Sequence, residues 1–229
     1  PVYADMPATI FEEMSGLARR HGAINLGQGF PDAPGPRALL EAAAEALLTG
    51  SNQYPPSTGL PRLREAVAAH YGRAQNLALS PDQVVVTSGA TEAIAAALFA
   101  LLSPGDEAAL IQPLYDAYLP LVRRAGGAAR LVTLAPPQWR ITRQLLDEAF
   151  GPKTKVLILN NPMNPTGRVF DDEELSLLAA YCVEHDVIAI CDEVWEAVVP
   201  PPGRFKPLMA FPGMADRTVK IGSAGKLFG

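Results

Sequence analysis

The chain has 229 residues, 48% hydrophobic and 19% charged, with 24 acidic against 19 basic side chains and a net charge of −5. That length supports one sizeable core or two smaller domains, and the acidic balance excludes a nucleic-acid binder, which needs a basic face for phosphate. No run nears the ~18 apolar residues of a membrane span, and the two cysteines, Cys182 and Cys191, read as buried thiols of a cytoplasmic protein.

In chain order, 8–22 (ATIFEEMSGLARRHG) is predicted as a helix, 23–36 as a loop-rich arm and 60–73 (LPRLREAVAAHYGR) as an amphipathic helix. From about residue 80 the pattern alternates. A β-branched run at Gln83–Ser88 leads into a helix at Ala90–Leu102. A strand at Glu107–Gln112 precedes a helix over 115–126, and a strand at Ala129–Leu134 precedes a helix over 142–150. Thr154–Asn161 is followed by a helix over 171–186, whose leading acids suit a helix start. Val187–Glu193 and Arg217–Ser223 complete six predicted strands. Strands that are apolar throughout and separated by helices imply an α/β fold: a mainly parallel sheet covered by helices on both faces. The 22 prolines, about twice the usual ~5%, cluster in connections such as YPPSTG and VPPPGRF and read as rigid loops. His21, His70 and His185 are scattered without metal-ligand spacing, and no metal site is expected.

The chemistry gathers where strands end, the usual ligand edge of a parallel sheet. Ser88-Gly89-Ala90-Thr91 turns straight into a helix, a form that can cradle a phosphate but equally serves as an ordinary Ser/Thr cap. Asn160–Gly167 (NNPMNPTG) holds Asn164 between prolines in a rigid turn that could also simply stop a strand. Asp192 closes an apolar strand and needs a cationic partner, which a structural arginine would also satisfy. Lys226 follows the last strand in a small-residue loop, Ser223-Ala224-Gly225. One ligand would satisfy all four loops: an aromatic cation bearing a phosphate, a ring hydroxyl and a carbonyl, which describes pyridoxal 5′-phosphate. Neither a P-loop nor a dinucleotide fingerprint is present.

The segments INLGQGFPD, NQYPPSTGLPRLREAV, NNPMNPTG, CDEVWE and SAGK, in that order, resemble those of class I/II aminotransferases of the pyridoxal-phosphate fold type I, in the kynurenine, methionine and succinyldiaminopimelate group. The resemblance covers essentially the whole chain. It implies that Lys226 binds the cofactor as a Schiff base and shuttles the substrate proton, and that Asp192 faces the pyridine nitrogen. Asn164 would meet the ring hydroxyl oxygen, and Gly89, Ala90, Thr91 and Ser223 the phosphate. Tyr115 and Val194 would flank the ring, Tyr54 would reach the phosphate of a neighbouring subunit in a homodimer, and Gly27 would lie by the substrate carboxylate. It further implies residues 1–45 as an N-terminal arm and small-domain segment, and 46–229 as the large cofactor-binding domain. An amino group would pass from an L-amino acid to a 2-oxoacid, and the apolar arm GQGFPDAPG favours a neutral or aromatic substrate.

Two departures from the family pattern stand out. Trp195 occupies a position where the family usually has tyrosine, which predicts that the cofactor Schiff base titrates at higher pH. The family also continues past the lysine, with a phosphate-binding arginine and a small C-terminal domain, so the resemblance implies the front part of a longer protein. A cysteine-S-conjugate β-lyase shares the fold and the lysine, and a non-catalytic cofactor-binding module or fragment is the remaining alternative.

Overall fold

The computed structural model describes residues 9–27 and 34–228, which form two compact units. The first runs to Asn52 and includes Phe228; the second is Gln53–Leu227.

The first unit holds two helices. Helix α1 (Ile10–His21) starts where Thr9 accepts the Glu12 amide through its hydroxyl, at 3.2 Å, and ends at Gly22, whose φ of 60° is cheap only for glycine. Gly27 packs so close to this helix that a β-carbon there would lie 2.9 Å from the Met14 Cβ. Helix α2 (Arg37–Thr49) follows the loop-rich arm and was not anticipated from the sequence pattern. It buries no residue among those described, although Leu40, Ala43, Ala44 and Leu47 share one face. Residues 28–33 of the predicted arm lie outside the described residues.

The second unit is built on a parallel sheet of five strands: β1 (Glu107–Gln112), β2 (Ala128–Thr133), β3 (Thr154–Asn160), β4 (Ile188–Asp192) and β5 (Thr218–Ile221), in the order β2-β1-β3-β4-β5. Five of the six predicted strands are therefore present. The sixth, at 83–88, is a correction. Pro81–Gln83 forms a one-turn 3-10 helix closed by a capping box between Ser80 and Gln83, and Val84 leaves it extended. No strand lies alongside among the described residues; Val86 donates its amide to Thr58, and Val85 is 60% exposed. β-Branched composition reports local preference, whereas a strand also needs a neighbour to pair with.

Side chains alternate between the two faces of the sheet. Val156, Ile158 and Ile190 pack on one side with Ile94 and Leu98 of α4 (Ala90–Leu101) and Tyr118 and Val122 of α5 (Tyr118–Arg124). Leu157, Leu159 and Cys191 pack on the other with Leu146 of α6 (Arg143–Ala149), Leu175 and Leu178 of α7 (Asp172–Glu184), and Leu208. Each fully buried Leu or Ile contributes about 1.5–3 kcal/mol. Helix α3 (Pro61–Gln75) precedes the sheet in sequence, and the short α8 (Ala224–Phe228) follows β5. As predicted, the leading acids open α7: Asp171 accepts the Glu174 amide at 2.9 Å while the Glu174 carboxylate accepts the Asp171 amide at 3.1 Å. Glu174 also accepts the Ile141 amide at 2.9 Å and a hydrogen bond from Arg168, so one buried carboxylate ties three segments together.

Candidate active site

The chain turns back across the sheet between β1 and β3, since β2 lies outside β1 and every later strand lies on the opposite side. Ligands of such sheets bind beyond the carboxyl ends at that switch. Tyr115 leaves the end of β1, Asn164 the end of β3, Asp192 ends β4, and Ser223 and Lys226 follow β5.

Asp192 is the centre of this edge. It is 6% exposed, and its Oδ2 accepts the Tyr118 hydroxyl at 2.5 Å while Oδ1 accepts the Val194 amide at 3.4 Å. The arginine that the sequence left open is replaced by a phenol; no cation forms an ion pair with Asp192 among the described residues. Burial pushes its carboxyl above the ordinary range, and the Tyr118 hydrogen bond, the Val194 amide and the charge of Lys226 act against that shift. The same burial, with Asp192 beside it, raises the Tyr118 hydroxyl. Tyr118 meets Tyr115 edge to face, with ring centroids 5.7 Å apart. The Tyr115 hydroxyl is raised by burial and by Asp116 and Asp192, while a hydrogen bond with Thr91 opposes the shift. Thr91, Tyr115, Tyr118 and Asp192 are thus one connected group.

Asn160 links the β3 loop to it. Its amide nitrogen donates to the Asp192 carbonyl at 2.9 Å, and its Oδ1 accepts the Asn164 amide at 2.6 Å. The Asn160 side chain therefore sets the turn that presents the half-buried Asn164.

Lys226 is exposed in the first turn of α8, its amide donating to the Ser223 hydroxyl at 3.3 Å. Its ammonium stands over the Trp195 ring, 4.4 Å from the centroid, a cation–π contact worth about 0.5–1 kcal/mol at an exposed site. At the start of α4, Gly89 has φ 82° and open space where a β-carbon would sit. Thr87 accepts its amide and Glu92 that of Ser88, and the first intrahelical bond runs from the Ala93 amide to the Gly89 carbonyl, so the amides of Ala90, Thr91 and Glu92 are the ones the helix start leaves without a partner inside the helix. Of the other predicted residues, Tyr54 is 97% exposed, and Gly27 belongs to the first unit. Among the described residues no cluster of His, Cys, Asp and Glu could hold a metal ion. Sequence reasoning missed Tyr118, Asn160, Glu193, Glu196 and Lys220. The signal for Tyr118 was the alternation of aromatics in PLYDAY; that for Lys220 was a charge inside an apolar strand.

The family model described as aminotransferase class I and II matches residues 21–229. The chain belongs to this family. It is 47% identical over 223 residues to a probable N-succinyldiaminopimelate aminotransferase of Mycobacterium tuberculosis, covering 96% of this chain and 56% of that protein. It is 38% identical to a methionine aminotransferase of Escherichia coli, over 96% of this chain and 57% of the other. It is 39% identical to human kynurenine–oxoglutarate transaminase 1, over 93% and 54% respectively. Among solved structures, the M. tuberculosis N-succinyldiaminopimelate aminotransferase superposes with a TM-score of 0.95 at 45% identity, covering 100% of this chain and 60% of that one. Aspartate aminotransferase from Thermus thermophilus with maleate gives 0.92 at 32% identity, over 99% and 60%. The chain thus spans a little over half the length of the curated aminotransferases it matches, and the parallel sheet with helices on both faces is the fold of these enzymes.

Proposed function

We propose that the carboxyl edge of this sheet is the cofactor site of a pyridoxal 5′-phosphate-dependent aminotransferase, moving the amino group of a neutral or aromatic L-amino acid to a 2-oxoacid. The observation that carries this reading is Asp192, a buried carboxylate whose only side-chain partner among the described residues is a phenol and which lies within electrostatic reach of an exposed lysine. A buried anion of this kind fits a cationic ring nitrogen, because an ionised carboxylate removed from water costs several kcal/mol without a cationic partner. The residues around it fit the rest of the group: a lysine amine in the first turn of α8, amides without helical partners at the start of α4, and an aromatic ring beside the acid.

When bound, the cofactor supplies an aldehyde that condenses with an amine and a protonated ring that takes up the electron pair left at the substrate Cα. Lys226 would provide the amine that binds the cofactor, and its Nζ would carry the Cα proton. Asp192 would hold the ring nitrogen protonated, and Asn164 would hydrogen-bond the ring oxygen. Ala90, Thr91 and Ser223 would hold the phosphate on the turn that Gly89 opens, and Tyr115 and Val194 would flank the ring. The 97% exposure of Tyr54 supports its use by a second copy of the chain, in a homodimer, and the backbone at Gly27 takes the substrate carboxylate. No helix among the described residues is long and apolar enough to cross a membrane, and both cysteines are buried free thiols, which supports a reducing, cytoplasmic setting.

The test is a visible spectrum of the full-length protein supplied with pyridoxal phosphate, before and after borohydride, beside Lys226→Ala. A yellow band that borohydride fixes onto the Lys226 peptide, absent in the variant, is the expected outcome. Amino acids that bleach the band while a keto acid forms then rank the substrates. A parent protein that takes up no cofactor on Lys226 would overturn the reading, and release of ammonia with pyruvate would turn it to a lyase.

A further inference from the structure

Directly behind Asp192 lies a second cluster of charge that the proposed chemistry does not use. The side chain of Lys220, in β5, is 4% exposed. Its ammonium is held by the carboxylates of Glu193, 1% exposed, and Glu196, the latter at 2.7 Å. It also lies over the rings of Tyr71 and Phe205, at 4.7 and 5.3 Å. Glu196 accepts two further hydrogen bonds from α3: the Tyr71 hydroxyl at 2.8 Å and the Gln75 amide at 2.6 Å. Glu193 in turn accepts the Leu208 amide at 3.3 Å. The Tyr71 hydroxyl sits so close to Gly222 that a β-carbon there would be 2.2 Å away.

The position of these residues in the chain is what matters. Glu193 follows Asp192, Glu196 follows Trp195, and Gly222 precedes Ser223. The β4 segment is therefore held to this ammonium by the residue after Asp192 and by the residue after Trp195, and on the β5 side Gly222, the residue before Ser223, packs closely against the tyrosine over which that ammonium lies. Two carboxylates around one ammonium do not tolerate its loss, since the buried acids would then repel each other without compensation. Glu196, at the more exposed end, is the acid that can swing toward water, and Trp195 is its neighbour in the one-turn 3-10 helix that Trp195 caps.

We propose that Lys220 is a positioning residue of the site: through Glu196 it fixes the Trp195 ring under the Lys226 amine, while through Glu193 it holds the strand end that carries Asp192. The importance of this device for catalysis rests on the reading of Lys226 given above, but the contact itself does not. It is therefore tested first without cofactor.

In the full-length protein with every tryptophan other than Trp195 replaced by phenylalanine, Trp139 among them, the emission reports Trp195 alone. Acrylamide quenching of that emission is compared with Lys220→Met and with Glu196→Ala. The second variant leaves one buried carboxylate facing one ammonium, so the folded state keeps a balanced pair even if Lys220→Met does not fold. In Glu196→Ala the quenching constant is expected to rise about two-fold as the ring loses its anchored neighbour, and in a folded Lys220→Met it rises as well. Lys220→Arg, which keeps the charge, should restore most of the parent value. Borohydride-fixed cofactor on Lys226 should then demand about ten-fold more pyridoxal phosphate in Glu196→Ala than in the parent. A folded Glu196→Ala protein with unchanged Trp195 quenching would overturn the inference. A parent that binds no cofactor but shows the quenching change would overturn the proposed function and leave the positioning role standing.

Discussion

Asp192 and Glu193 leave the same strand one residue apart, point to opposite faces of the sheet, and are buried to a similar depth, yet their surroundings differ in kind. Glu193 has a lysine in contact and a backbone amide; Asp192 has a phenol and a backbone amide. Burial is the largest influence on both acids and raises both. The Lys220 charge opposes it at Glu193, and the Tyr118 hydrogen bond opposes it at Asp192. A protein selecting only for stability would supply both acids with a cation. Leaving Asp192 with a neutral donor keeps it free to take a cation from outside the chain, whereas Glu193 has its cation built in.

The comparison breaks first at Asp192. Asp192→Asn should lower turnover of the full-length enzyme by about 10²- to 10³-fold, the usual cost of removing one preorganised electrostatic partner. The same change should leave the cofactor-free protein as stable or more so, because a buried charge is replaced by an amide that can still accept the Tyr118 hydroxyl. Steady-state kinetics beside urea midpoints would check both halves. A variant that lost stability and activity together would mark Asp192 as an ordinary structural acid.

A smaller effect concerns Glu193. Its carboxyl is pushed up to about 7 from an ordinary 4.5, first by burial and also by Glu196, with Lys220 pulling it down. The folded protein therefore holds this proton more tightly than the unfolded chain. The resulting stability is fully present below the unfolded value and is lost as pH rises through about 7. Glu193→Gln should flatten the fall in the urea midpoint between roughly pH 5 and pH 8 without abolishing cofactor uptake. A parent whose midpoint rises across that window would contradict the assignment.

The smallest expected effect sharpens the site itself. Trp195 offers Lys226 a ring face and a single N–H donor where tyrosine would offer a hydroxyl. Trp195→Tyr should lower the pH at which the absorption band of the bound cofactor changes, by about one unit or less. Titration of the band in parent and variant gives the answer, and coincident curves would mean that the indole merely fills space.

How much of this was legible in the residues depended on whether a feature is local. The acids that open α7 and the apolar β3 strand are written in contiguous stretches and stand where the pattern placed them, whereas Ser223-Ala224-Gly225, read as a loop, is helical from Ala224 onward. Val84–Val86 carries the composition of a strand, but pairing depends on what lies beside it, which no window of sequence holds. Lys220 was absorbed into RTVKIGS as part of an apolar run. Its partners come from acids 24 and 27 residues earlier and from aromatics on α3 and in the loop before β5, so only the register of β4 against β5 brings them together. Asp192 was noticed because a strand-end acid is conspicuous, but its partner proved to be Tyr118, 74 residues away, rather than an arginine.

The two cysteines add something of a different order. Cys182 on α7 and Cys191 on β4 lie in the same apolar cluster, with burial pushing the first thiol up to about 12 and the second well above its usual range. A thiol that neither ionises nor meets solvent is silent toward alkylating reagents while the sheet stays shut. Each molecule therefore carries a pair of built-in clocks. The rate at which they are modified counts how often the face of the sheet away from Tyr118 opens, whatever happens at the other face.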